Sequence, residues 1–280
     1  MPDAQLPTGV RLHFEIVGQG EPLLLLPGTG QGGQLWSLQV PAYSARYRCI
    51  LVDNRGAGRS EVPEAGYTIR QMADDAAALL EALGIPRAHV SGQSMGSAIA
   101  QELAINRPEL VATLQLHSTW DRPYPHLVRQ LRLRQELARR ELWDLFALNS
   151  VLWLFPPEYA NEHGAELAER EALLFATHPP ARGLVGHYQA GIEHETRGRL
   201  GRIRAPTLVT YGTLDLATLP AYNQAVHAQI PGAELHVFAG AGHLTFSERP
   251  AEFNRVTLAF LARHPLAPEH AREDEGLWRS

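Results

Sequence analysis

The residue of this chain most able to act as a nucleophile is a serine placed between two glycines. It lies in Gly92-Gln93-Ser94-Met95-Gly96, after a short apolar run that ends at Val90 and before a run typical of a helix, residues 97–106. A strand, a sharp turn and a helix are the setting that a G-x-S-x-G nucleophile elbow requires, and glycines allow the backbone to turn tightly. The pattern predicts that Ser94 presents its hydroxyl group to a substrate.

A serine hydroxyl needs a general base, and the base needs an acid that orients it. Asp215 follows the buried strand-like run 207–211, and His243 follows a second strand-like run, 235–238, after a glycine-rich turn. The order along the chain is therefore serine, aspartate, histidine. Asp121, which lies just beyond the apolar run that ends near Leu116, is an alternative for the orienting acid.

This order, with each residue after its own strand, resembles the α/β-hydrolase family over about residues 10–263. The resemblance implies an oxyanion hole made by the backbone N–H groups of Met95 and Thr29, the latter in the loop Pro27-Gly28-Thr29-Gly30. Many relatives have His-Gly where this chain has Pro27-Gly28. Because the candidate nucleophile is a serine and not an aspartate, the dehalogenase and epoxide-hydrolase branches of the family are disfavoured.

The elements that must position these residues alternate between short buried runs and helical patterns. Residues 10–16 alternate apolar and polar side chains, and Gly18-Gln19-Gly20 supplies a turn, which predicts a hairpin at the edge of a sheet. Further buried runs lie at 23–26, 50–52, 90, 111–116, 208–209 and 237, and helical patterns at 69–83, 97–106, 221–229 and 253–263. Such alternation predicts an α/β fold: a mostly parallel central sheet with helices on both faces.

The alternation stops after Trp120, where helical and aromatic-rich segments predict an inserted helical cap over residues 120–203. Residues 1–119 and 204–264 then form the α/β-hydrolase core, and residues 265–280 a mobile C-terminal tail. Together with Gly28, the cap residues Trp120, Trp153 and Tyr188 are candidates for lining a substrate pocket over Ser94. Alternatively, the aromatic side chains of this segment only hold the cap together.

The composition excludes several classes of protein. The chain contains no lysine, so it lacks the lysine that a P-loop, a kinase or a pyridoxal phosphate enzyme needs. Cys49 is the single cysteine, which excludes an internal disulfide and predicts a core residue, and the histidines show no metal-ligand spacing. A net charge of −5, with no long apolar stretch and no signal-peptide pattern at the start, predicts a cytoplasmic protein that binds neither nucleic acid nor membrane.

A dinucleotide-binding fingerprint competes with this interpretation. Gly28, Gly30 and Gly33 follow a strand in the pattern G-x-G-x-x-G, and Asp53 lies about twenty residues further on. Against it, residues 34–40 leave little room for a full crossover helix before Pro41.

The resemblance is strongest to esterases and enol-lactonases, so we expect hydrolysis of a small or medium carboxylic ester or lactone through an acyl-serine, with no metal or organic cofactor. The alternatives are a C–C bond hydrolase of a diketone-like ring-fission product, a cofactor-free perhydrolase, and a non-catalytic receptor for a small molecule on the same fold. The expected partner is a small-molecule substrate, and the oligomeric state stays open.

Overall fold

One mixed sheet forms the centre of the protein, whose structure is a computed structural model that describes residues 3–266. Its strands are β1 (Asp3–Gln5), β2 (Arg11–Val17), β3 (Glu21–Leu26), β4 (Tyr47–Val52), β5 (Ala88–Gln93), β6 (Val111–His117), β7 (Thr207–Gly212) and β8 (Glu234–Phe238). The strands lie in the order β1-β2-β4-β3-β5-β6-β7-β8. The pairs β1–β2 and β2–β4 are antiparallel, and all other pairs are parallel.

Helices follow most of the parallel strands and cover both faces of the sheet. The α-helices are α1 (Val40–Tyr43), α2 (Ile69–Ala82), α3 (Met95–Asn106), α4 (Pro125–Arg139), α5 (Trp143–Leu154), α6 (Pro157–Glu162), α7 (Gly164–Ala176), α8 (Ala181–Glu193), α9 (Pro220–Gln229), α10 (Thr245–Glu248) and α11 (Pro250–Ala262). The predicted α/β class and its mostly parallel sheet are confirmed. A short 3₁₀ turn and the four-residue helix α1 stand where a dinucleotide fold would place a full crossover helix.

The predicted hairpin between the strand at 11–17 and the strand at 21–26 is wrong. Strand β4 lies between β2 and β3, and the hairpin at this edge of the sheet is formed by β1 and β2. The connection 18–20 instead crosses the start of β4 at very close range. A Cβ atom at Gly18 would lie 2.5 Å from the Ser44 carbonyl oxygen, and one at Gly20 would lie 2.5 Å from that of Arg46. The two glycines are therefore needed for a close crossing, not for a two-strand turn.

Strand β3 shows why the sheet is covered on both faces. Its four consecutive leucines are fully buried, and successive side chains of a strand point to opposite faces. Leu24 and Leu26 join the larger core cluster with α2 and α3, whereas Leu23 and Leu25 join a second cluster with α1 and α11. This central strand therefore packs against helices on each side of the sheet.

Five helices, α4 to α8, are inserted between β6 and β7, in agreement with the predicted helical insertion. Packing of Trp143, Phe146, Leu184 and Tyr188 gives this helical insertion a small core of its own. Its limits at residues 120 and 203 stay a prediction, and most of the predicted mobile tail, residues 267–280, lies outside the described residues. Within residues 3–266, every helix is too short or too polar to cross a membrane.

Candidate active site

Ser94 lies in the turn that joins β5 to α3, and its backbone has φ 53° and ψ −118°. A residue other than glycine rarely adopts a positive φ, and such strain is characteristic of functional sites. The unusual backbone conformation, expected at the flanking glycines, lies at the serine itself. Gly92 and Gly96 are needed for a different reason. A Cβ atom at Gly92 would collide with the Gly96 carbonyl oxygen, and one at Gly96 would collide with that of Leu26.

His243 and Asp215 are in direct contact in a buried environment. The distance between His243 Nδ1 and Asp215 Oδ2 is 2.9 Å, and the two residues are 3% and 1% exposed. The same carboxylate accepts hydrogen bonds from the backbone N–H groups of Ala217 and Thr218 and from the Thr218 hydroxyl. An ionised carboxylate can only accept, so the proton of a neutral imidazole lies on Nδ1. The Nε2 atom is left unprotonated and able to act as a base.

Asp121, the alternative acid, has other partners. Its carboxylate accepts hydrogen bonds from the Tyr124 hydroxyl and the Gln229 amide at 2.8 Å, and its carbonyl oxygen accepts the N–H group of Thr196. These contacts connect the base of the helical insertion to α9. The acid that contacts His243 is therefore Asp215.

Hydrogen bonds between consecutive loops hold the serine and the histidine at the same edge of the sheet. The Ser94 N–H group donates to the His117 carbonyl oxygen at 2.8 Å, and the next residue of that strand end, Ser118, donates from its hydroxyl to the His243 carbonyl oxygen at 3.0 Å. Carboxyl ends of parallel strands are where α/β sheets bind ligands. The Ser94 hydroxyl is partly exposed and has no hydrogen-bond partner among residues 3–266, and the His243 side chain bonds only through Nδ1 in that range.

The loop from Pro27 to Gly30 packs directly against the elbow. A Cβ atom at Gly28 would lie 3.5 Å from Ser94 Cβ, and one at Gly96 would lie 2.8 Å from the Pro27 carbonyl oxygen. Met95 is the first residue of α3, so its N–H group has no acceptor within the helix. In the described part of the chain, the N–H groups of Met95 and Thr29 make no hydrogen bond. Both donors are therefore available to an oxygen atom bound next to Ser94.

Three side chains from two other segments hold this loop and the residues just after it. The Asn54 amide donates to the Pro27 carbonyl oxygen at 3.3 Å, and Asp53 Oδ1 accepts the Gly33 N–H group at 2.7 Å. The third is His187 of α8, whose Nδ1 lies 3.0 Å from the Gly30 nitrogen. Sequence reasoning gave His187 no role, because nothing in its spacing pointed to a partner 157 residues away.

Glu248 is a second residue that the sequence analysis missed. Its carboxylate accepts the N–H groups of Gly242 and Leu244, at 2.8 and 3.2 Å, on either side of the candidate base. Burial raises the pKa of Glu248. An acid five residues after the histidine was the signal that could have identified it.

The predicted pocket residues of the helical insertion contact other residues of their own region. Trp120 is 2% exposed and meets the His194 ring edge-on at 5.6 Å between ring centroids. The Tyr188 hydroxyl accepts a hydrogen bond from Arg134 at 2.7 Å, and Trp153 is partly buried against an imidazole of α4. These contacts favour the plainer role of holding the insertion together, and a pocket lined by these residues stays a prediction. Across residues 3–266, no cluster of three histidine, cysteine or acidic side chains is arranged to hold a metal ion.

Comparison with known proteins adds independent findings. A family model described as the alpha/beta hydrolase fold matches residues 21–250. The chain is 33% identical over 250 residues to "Putative carbamate hydrolase RutD" of Azorhizobium caulinodans, covering 89% of this chain and 94% of that protein. Among solved structures, the enol-lactonase of Burkholderia xenovorans LB400 is 29% identical with a TM-score of 0.85, covering 93% of this chain and all of that one. A thermophilic esterase from Thermogutta terrifontis is 26% identical with a TM-score of 0.86, covering 95% of this chain and all of that one.

Proposed function

The chain belongs to the α/β-hydrolase family, and on that premise we propose that it is a serine hydrolase that cleaves a small or medium carboxylic ester or lactone. The observation that carries the proposal is the buried contact between His243 and Asp215, at the edge of the sheet that also presents the strained Ser94. A serine, a base with a free ring nitrogen and an acid that orients this base are the parts that acyl transfer needs.

In the first half of the reaction, Ser94 Oγ attacks the carbonyl carbon while His243 Nε2 takes the hydroxyl proton. This transfer requires the two atoms to lie within about 2.6–3.2 Å. The carbonyl electrons move onto oxygen, where the N–H groups of Met95 and Thr29 donate to the negative charge. Each such donor contributes on the order of a hundredfold to the rate. The C–O bond then breaks, and the alcohol leaves with the proton held by His243.

In the second half, water attacks the acyl-serine and gives its proton to His243. The new tetrahedral centre collapses, the carboxylic acid is released, and Ser94 recovers its proton from the imidazole. Asp215 stays ionised throughout and stabilises the imidazolium in both halves. Every proton transfer in this route uses His243, so the route uses no metal or organic cofactor.

The similarity to an enol-lactonase and to an esterase supports an ester or lactone as the substrate. A second candidate is hydrolysis of a carbamate, which the similarity to the RutD relative favours. Both substrates present a carbonyl carbon with a leaving group, so the same three side chains would act in the same order. Besides the alkoxy oxygen, the carbonyl carbon carries a nitrogen atom in a carbamate and a carbon atom in an ester.

A fluorophosphonate probe tests the nucleophile. We expect the probe to label the native chain and the exposed-serine control Ser37→Ala, and to fail on Ser94→Ala. Labelling of both Ser94→Ala and the native chain, or of neither, would remove Ser94 from the proposed role.

A substrate panel then tests the class. Rapid turnover of p-nitrophenyl butyrate or of a lactone supports the proposal, whereas faster turnover of a carbamate supports the second candidate. If esters, lactones and carbamates are all inert and a dienone ring-fission product is cleaved, the protein is a C–C hydrolase. If the serine is labelled but nothing is turned over, a receptor is the better explanation.

A further inference from the structure

His187 connects the helical insertion to the loop that carries a proposed oxyanion donor. It belongs to α8, it is fully buried, and its ring lies between two backbone segments of the sheet domain. Nδ1 lies 3.0 Å from the Gly30 nitrogen, and Nε2 lies 2.6 Å from the Arg55 carbonyl oxygen. A backbone N–H can only donate and a carbonyl can only accept. The ring is therefore held as the neutral tautomer with its proton on Nε2.

The Arg55 end of this bridge is rigid. The guanidinium of Arg55 donates twice to the Asp75 carboxylate on α2, at 2.6 Å each, and both side chains are buried. A bidentate arginine–carboxylate pair fixes its partners in one geometry. Close packing adds to this, because a Cβ atom at Gly183 of α8 would collide with the Gly56 carbonyl oxygen.

The Gly30 end of the bridge lies in the loop that carries Thr29, which packs closely against α8. Gly30 has φ +70°, and a Cβ atom there would lie 2.7 Å from Leu184 Cδ1. Because Gly30 follows Thr29 directly, the hydrogen bond to His187 fixes the peptide plane that joins the two residues. The Thr29 N–H group lies in the preceding peptide plane, which is joined to this one only through the φ and ψ angles of Thr29.

We propose that His187 is a positioning residue for the proposed hydrolase reaction, aiming the Thr29 N–H group at the oxyanion. The inference rests on the proposed function, and it goes beyond it by making a residue of the helical insertion part of the oxyanion site. Donors of this kind accelerate a reaction only when they are already oriented toward the developing charge. Docking of α8 on the loop is thus what prepares the site.

Two variants of His187 each keep only one of its two hydrogen bonds. Asparagine carries its oxygen at the δ position, so His187→Asn keeps an acceptor for the Gly30 N–H group. Glutamine carries its amide at the ε position, so His187→Gln keeps a donor for the Arg55 carbonyl but has no acceptor at the δ position for the Gly30 N–H group. His194→Gln is the matched control, because His194 is also buried just after α8 but contacts Trp120 and Thr196 rather than the loop.

We expect His187→Gln to lower kcat about tenfold to a hundredfold with KM within about threefold, since loss of a whole oxyanion donor costs about a hundredfold or more. His187→Asn and the His194→Gln control should stay within about fivefold of the native kcat. A trifluoromethyl ketone, which mimics the tetrahedral state, should lose affinity for the glutamine variant by the same factor as kcat/KM. Equal effects of the asparagine and glutamine variants, or unchanged affinity for the ketone, would overturn the inference.

A measurement independent of turnover separates this inference from the proposed function. In hydrogen exchange, a peptide covering residues 28–33 should exchange faster in His187→Gln than in His187→Asn, whatever the protein hydrolyses. If the variants do not fold, NMR of the native protein labelled with ¹⁵N-histidine decides the question. One imidazole must show the Nε2–H tautomer and a coupling through a hydrogen bond to the Gly30 amide, and its absence refutes the bridge. Failure of fluorophosphonate labelling, by contrast, would overturn the proposed function while leaving the hydrogen-bonded bridge itself in place.

Discussion

Lowering the pH from 7 to 5 should strongly destabilise this fold, because at least three histidines are buried in the neutral form. Burial lowers the pKa of His117 from 6.5 to about 3, and the pKa values of His187 and His194 to about 4. The unfolded chain binds a proton at each of these imidazoles below pH 6.5, and the folded chain does not. Their contribution to stability is therefore complete above about pH 6.5 and is lost as the pH falls toward 4.

The size of the effect follows from these values. At pH 5 an imidazole of pKa 6.5 is almost fully protonated, whereas one of pKa 4 is almost fully neutral. Proton linkage then lowers the free energy of unfolding by about 2 kcal/mol for each of the three between pH 7 and pH 5, about 6 kcal/mol in total. A typical domain has a free energy of unfolding of roughly 5–15 kcal/mol. Glu248, whose pKa burial raises, acts in the opposite sense by taking up a proton in the folded state as the pH falls.

The assay is urea unfolding followed by tryptophan fluorescence at pH 7, 6 and 5. The midpoint should fall steeply while the m-value stays constant, which identifies a change in stability rather than in compactness. The variant His194→Gln removes one of the three groups, so its loss between pH 7 and pH 5 should be smaller by about 2 kcal/mol. A native protein equally stable at both pH values, or a variant with the same loss as the native chain, would refute the reasoning.

Two pairs of substitutions test the geometry of the site. Asp215→Asn should lower kcat about 10⁴-fold, because an amide favours the wrong imidazole tautomer. Asp121→Asn should keep kcat within about tenfold of the native value, since the Asp121 carboxylate contacts the insertion and α9. Steady-state kinetics on an accepted ester checks both, and the reverse ranking would return the acid role to Asp121. Gly96→Ala should cost about 3 kcal/mol, because its Cβ atom would collide with the Leu26 carbonyl oxygen. Gly164→Ala, at a helical position with open space, should be neutral or stabilise the protein by up to about 1 kcal/mol. Urea unfolding compares the two, and equal costs would mean that the elbow relaxes freely.

The order of strands and helices along the chain could be predicted because it follows from local patterns of apolar and polar residues. The four leucines of 23–26 indicated a strand buried on both faces, and the helical runs beginning at Ile69 and Phe253 correspond to α2 and α11. The pairing of the first strands could not be predicted in this way. A turn of two glycines suits a hairpin and a close crossing equally well, and only the position of β4 distinguishes them.

The candidate site, too, was predictable from the sequence in part and depended on the tertiary structure for the rest. Sequence order, turn chemistry and the family resemblance predicted Ser94, Asp215 and His243 as the candidate triad, because each follows a strand at the carboxyl edge of a parallel sheet. Three-dimensional packing decided that the acid beside His243 is Asp215, since Asp121 is turned toward Gln229. It also brought His187 to Gly30 and Glu248 to the loop around His243. These contacts join segments that are far apart in the sequence. Local propensities and turn motifs do not determine how close such segments come in the folded protein, so these contacts could not be predicted from the sequence.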